Sequence, residues 1–239
     1  MKNIQIIGYF LALVILALYT FYPNQASKHT SHFIPTPLVG KVIVLDPGHG
    51  GFDGGAVGAD QTLEKEIALL VANEVRSFLE QAGAIVYMTR ETDTDLVPKG
   101  TTGRKKSADI RNRLAFIHEK DPDMFLTIHL NSLNATRWRG AQTFFDTKLP
   151  ENEVLATMIQ DEIIRNLENT KRVALQIDHI YLLKHAEVPG ALVEIGFLSN
   201  EGERELLKKQ SYQREMAASI YQGILRYMTE SDKTMAKYD

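Results

Sequence analysis

The sequence predicts an α/β fold: a single three-layer sandwich with a mostly parallel twisted sheet and helices on both faces, preceded by an N-terminal membrane-spanning helix. Three observations lead there. Short apolar runs alternate with helical periods through residues 41–230, as strands joined by crossover helices do. Several runs are apolar throughout, the mark of strands buried on both faces. The chain also opens on an apolar stretch of bilayer length.

From Ile4 to Tyr22 there is no charged residue, and the nearest charges are Lys2 and Lys28. At about 1.5 Å per residue that run spans roughly 28 Å, enough for a hydrocarbon core. An uncleaved anchor over residues 1–22 is therefore expected. A signal peptide has a shorter apolar centre and small residues before its cut, where Asn24 ahead of Ala26 fits poorly. With only Lys2 and the amino terminus ahead of the span, the body is expected outside the cytoplasm, or secreted if the N-terminus is cleaved. Residues 23–40, with Pro23, Pro35 and Pro37 and no hydrophobic period, read as a linker.

The body is placed at 41–230, with a tail over 231–239. Lys41–Asp46 (KVIVLD) is a buried parallel strand ending in a Pro-Gly turn. Thr62–Gln81 carries Leu63, Ile67, Leu70, Val71, Val75, Phe78 and Leu79 at helical spacing, with Thr62 the expected N-cap and Gly83 beyond the end. Strands follow at Ala84–Thr89, Met124–His129, Ala141–Phe145 and Ala191–Ile195. Helices are expected at Ala108–Glu119, Glu151–Leu167, Glu201–Lys209 and Ser211–Met228.

Composition narrows the chemistry. A formal net charge of −3 gives no basic excess, so no nucleic-acid partner is expected. With no cysteine, disulfide frameworks, thiolate metal sites and cysteine nucleophiles are excluded. Any metal must be held by His and carboxylate.

Three apolar strands end on reactive residues: KVIVLD runs into Gly48-His49-Gly50-Gly51, MFLTI into His129-Leu130-Asn131, and ALV into Glu194. In open α/β sheets function collects at such carboxyl ends. Glu64, in the first turn of the next helix, can reach the same edge. Two imidazoles and one carboxylate are the ligand set of a hydrolytic zinc site that leaves a position open for water. Glu194 falls where a general base is needed, and a carboxylate inside an apolar strand is expensive to bury without a role or partner. Taken singly, each residue has a plainer reading: a hydrogen-bonded structural His, or a carboxylate favoured at a helix start. The Gly-rich GHGGFDGG run suits a phosphate cradle in outline but lacks the Gly-Lys-Ser/Thr ending of a P-loop.

The runs LDPGHGG (45–51), LEKEIAL (63–69), MTRETD (88–93), IHLNS (128–132) and PGALVEIGFLSN (189–200) occur in that order. With them the chain, over about residues 41–228, resembles the zinc-dependent N-acetylmuramoyl-L-alanine amidases of the Amidase_3 type. The resemblance implies one Zn2+ per chain on His49, Glu64 and His129, with Glu194 catalytic; Glu66, the nearby rival of Glu64, aligns poorly. It implies hydrolysis of the amide between the muramic lactyl group and L-alanine in peptidoglycan. Arg90 and Arg111 are candidates for stem-peptide carboxylates or the oxyanion, and Asn131 for orienting His129 or substrate. Within the family, TDTDL (92–96) and GILRYMTE (223–230) are similar to the germination-specific amidases of spore formers, which implies spore-cortex peptidoglycan and muramic δ-lactam formation. Leu130 and Ser132 stand where many members have Ala. The stretch from Gly140 to Glu151 has no room for an inserted blocking helix, so control is expected from elsewhere, an activating protein partner included. A zinc exopeptidase on a related fold and a non-catalytic peptidoglycan-binding module are the alternatives.

Overall fold

The computed structural model describes Val14 and residues 36–133 and 135–235. The expected anchor and most of the expected linker lie outside the described residues. Among the described residues no helix is long and apolar enough to cross a membrane. The body begins as a compact unit at Thr36, ahead of the expected linker end, because Leu38 is fully buried and its N–H donates to the Ala82 carbonyl.

Twelve elements follow: β1 (Val42–Pro47), α1 (Glu64–Gln81), β2 (Ile85–Met88), α2 (Lys105–Lys120), β3 (Met124–Asn131), β4 (Gln142–Phe145), α3 (Pro150–Leu167), β5 (Leu175–Gln176), α4 (Tyr181–His185), β6 (Gly190–Phe197), α5 (Glu201–Leu207) and α6 (Gln210–Met235). The strand order is β2-β1-β3-β6-β4-β5. The first four are mutually parallel, while β4 runs antiparallel to β6 and carries β5 parallel to itself. The sheet is thus mixed. No crossover helix separates β3 from β4, so the chain leaves the carboxyl edge and turns straight back along the sheet.

Each central strand is buried on both faces, which explains its unbroken apolar sequence. Ile43, Leu45, Leu126, Ile128, Val193 and Ile195 pack beneath α1, α3 and α6. Val44, Phe125 and Leu192 face the other way, onto Ile117 of α2 and Leu182 and Leu183 of α4. In α1, Ile67, Ala68, Val71, Ala72, Val75 and Leu79 form the buried stripe, whereas Leu70 is exposed. Thr62 does not cap α1. Leu63 holds the N-cap position without a side-chain bond, and the Thr62 hydroxyl donates to Asp60 at 2.7 Å. The short β5 and α4 have no counterpart in the periodicity.

From β1 the chain first steps outward to β2, then crosses to β3 on the other side of β1. The carboxyl ends of β1 and β3 therefore flank a topological switch point, where neighbouring loops diverge and leave a crevice.

Candidate metal centre and catalytic pocket

His49 leaves β1, His129 lies near the end of β3, and Glu194 pairs in register with His129 from β6. Glu64 enters from the first turn of α1. Ligand-capable atoms of His49, Glu64 and His129 all lie within 4.8 Å of one another. His129 Nδ1 is 2.8 Å from Glu64 Oε1, and His49 Nε2 is 3.1 Å from Glu64 Oε2. Donors on a tetrahedral zinc sit roughly 3.3–3.5 Å apart, so small outward movements seat a divalent ion between them.

Two glycines make the approach feasible. A Cβ on Gly48 would fall 2.3 Å from His129 Cε1, and one on Gly55 (φ +71°) would fall 2.5 Å from Glu64 Oε2. His49 itself has φ 62°, a left-handed conformation uncommon for any residue with a Cβ and held where the surroundings support it. Arg113 enforces it, its guanidinium donating to the His49 carbonyl and, at 3.0 Å, to that of Pro47. The same guanidinium pairs with Asp46 and Asp109, each at 2.7 Å. Asp46 in turn accepts from Thr89 and Thr127, so this buried charge cluster under the β1 turn is fully hydrogen-bonded.

Glu64 is 3% exposed, and its oxygens also accept from the backbone N–H groups of Ala56 (2.7 Å) and Leu130 (2.9 Å). Burial pushes its pKa up, but the bonds to His129 and His49 outweigh that and hold it well below the carboxylate range. His129 is raised: burial lowers it, and the Glu64 carboxylate overrides that. Glu194 behaves oppositely. Burial, opposed by His129 and reinforced by Glu64, pushes it from 4.5 to about 7, and its buried Oε2 has no hydrogen-bond partner. A carboxylate left without a partner beside two imidazoles and a second carboxylate is poised to exchange a proton near neutrality.

Asp53, which sequence reasoning missed, stands behind His49: its Oδ2 is 2.9 Å from His49 Nδ1, and its Oδ1 accepts from Gly55 N–H at 3.2 Å. Its place four residues after His49 in the Gly-rich loop was the available signal. By accepting the Nδ1 proton it leaves the Nε2 lone pair facing Glu64. Asp53→Asn is expected to weaken metal affinity by about 10–100-fold, the usual effect of removing such an outer partner. Titration against a competing chelator measures it, and unchanged affinity would show that His49 is held by its loop alone.

The two arginine candidates stand elsewhere. Arg90 is 3% exposed and donates to the carbonyls of Pro47, Gly48, Lys65 and Thr92, so it braces the His49 loop from below and does not line the cavity. Arg111 is exposed and does not line the cavity. Arg113, one pair of residues on, carries the role of organising cation. Asn131 lines the cavity beside His129. That cavity, ≈ 380 Å³, has His49, Glu64, His129 and Glu194 along its sheet edge, one wall from α2 (Lys106, Asp109, Ile110, Arg113) and another from His179 to Leu182.

The fold and site thus define an α/β domain with a His-Glu-His cluster, able to hold a metal ion, in a pocket at its switch point. Residues 43–226 match the N-acetylmuramoyl-L-alanine amidase family Amidase_3, and the chain belongs to that family and is an amidase of this kind. A germination-specific N-acetylmuramoyl-L-alanine amidase of Bacillus subtilis (strain 168) is 51% identical over 223 residues, 92% of each chain. The CwlD amidase of Clostridioides difficile, solved in complex with the GerS lipoprotein, superposes with TM-score 0.77 at 39% identity, covering 79% of this chain and 98% of that one. The amidase AmiC2 of Nostoc punctiforme gives TM-score 0.70 at 28% identity over 80% of this chain and 98% of that one.

Proposed function

We propose that this chain is a zinc-dependent, membrane-anchored amidase that strips stem peptides from spore-cortex peptidoglycan, the step that precedes muramic δ-lactam formation, and that it works with an activating protein partner. The observation that carries the catalytic reading is the unpartnered Glu194 oxygen in the same cavity as His49, Glu64 and His129. Two imidazoles and a carboxylate favour zinc among the common divalent ions, and three protein ligands suit a catalytic site over a structural one. Zinc held there supplies Lewis acidity, polarising the scissile carbonyl and making water a better nucleophile. Glu194 takes the proton of the attacking water as its oxygen adds to the lactyl carbonyl carbon. When the C–N bond breaks, Glu194 returns that proton to the alanine nitrogen, which leaves as an amine.

The germination role is supported by the Bacillus subtilis relative, and the partner by the Clostridioides difficile relative's complex with a lipoprotein. The anchor and the extracytoplasmic setting are supported by the charge-free run from Ile4 to Tyr22. Mass spectrometry of muropeptides after incubation with zinc-loaded protein tests the reaction. Intact stem peptides with a free alanine amine are expected, together with muramic residues ending in a free lactyl carboxylate. Release of single terminal amino acids would identify an exopeptidase, and no release either alone or with the activating partner a binding module.

A further inference from the structure

We propose that Lys106 receives a carboxylate of the stem peptide and so fixes which way the substrate lies in the cavity. The inference rests on the amidase reading and adds a substrate-orienting residue to it. A stem peptide carries carboxylates beyond the scissile amide, and a cavity that takes an anionic chain needs a cation with donors to spare.

Among the described residues lining the cavity the only Lys and Arg side chains are Lys106 and Arg113. Arg113 is 3% exposed and already donates to Asp46, Asp109, Pro47 and His49, so it has little to offer a ligand. Lys106 is different. Its side chain is 63% exposed, and its ammonium pairs with Asp53 Oδ2 at 3.1 Å, leaving donors directed to solvent.

The plainer account, a lysine that merely stabilises its helix, meets an objection. Lys105 and Lys106 open α2, where the macrodipole disfavours cations, no acidic residue stands in the first turn, and no side chain caps the N-terminus. Both features make this end of α2 receptive to an anion and poor for the helix alone. Ile110, one turn on, gives the same wall an apolar surface for the peptide's methyl and methylene groups.

Zinc-loaded chain is tested on two substrates, N-acetylmuramoyl-L-alanyl-D-glutamate and the same compound with both carboxylates amidated. The wild type is expected to prefer the charged compound. In Lys106→Gln that preference should shrink by about 5–30-fold, through KM more than kcat, since an ion pair to the bound substrate is made before and during reaction. Lys106→Arg should retain it. Metal content, measured alongside, reports any effect passed through Asp53 to His49. A preference unchanged in Lys106→Gln, or equal losses on both substrates with lowered metal content, would overturn the proposal and leave Lys106 as a neighbour of Asp53. Wild-type chain that cleaves neither substrate, with its activating partner present as well as without it, would instead overturn the amidase reading, and the orienting role with it.

Discussion

Glu194→Gln is expected to lower turnover by roughly 10²–10⁴-fold, the contribution of a positioned acid–base group, while zinc stays bound. Glutamine keeps the size and shape of the side chain but accepts no proton at neutral pH. The isolation of Glu194 Oε2 predicts that no protein bond is broken by the change. Stability offers a second reading of the same residue. In metal-free protein the Glu194 pKa stands at about 7 against an ordinary 4.5, so between those values the folded chain holds a proton that the unfolded chain has released. The stabilisation this gives is complete below pH 4.5 and is lost as pH rises through about 7. Metal-free Glu194→Gln should therefore match the wild type near pH 4 and exceed it by about 1–3 kcal/mol at pH 8. Urea denaturation in the presence of chelator measures both. A variant that loses zinc would make Glu194 a ligand; one that stays active would place the base elsewhere; one less stable at pH 8 would mean that a partner holds the carboxylate ionised.

The four residues of the centre were legible because each sits where a strand or helix start ends on a polar residue, and edge position alone gathers such residues. His49, Glu64, His129 and Glu194 do meet at one edge. The cations were harder to read. Arg90 follows a strand as His49 does, but its long side chain turns beneath the loop, and nothing in spacing distinguishes a brace from a binder. Arg111 and Arg113 were separable by helix phase: Lys106, Asp109, Ile110 and Arg113 recur at three- and four-residue steps and face the cavity together, and Arg111 falls off that face. Asp53 escaped notice because an outer partner is defined by what it touches. The reversal of β4 was implied by the missing crossover after β3, whereas β5 and α4 are too short to show any period.

His129→Ala is expected to abolish zinc binding and activity together. One imidazole and one carboxylate would remain, and a removed ligand should lower affinity by more than the ~10–100-fold lost with an outer partner. The site resists compensation. His129 fills the space that Gly48 leaves open, so alanine opens a gap at the end of β3, and the only other histidines among the described residues lining the cavity are His49, already in the cluster, and His179 ahead of α4. Glu64 would keep its backbone bonds from Ala56 and Leu130 and its approach to His49, so the loop architecture should survive and the variant should fold. Its metal-free thermal midpoint is accordingly expected near that of metal-free wild type, while the rise on adding zinc, present in wild type by mass action, should vanish. Metal analysis, thermal shift with and without zinc, and muropeptide release are measured on one preparation. Retained zinc with lost turnover, the pattern expected of Glu194→Gln, would reassign His129 from ligand to catalytic group and leave Glu194 in contention for the third ligand.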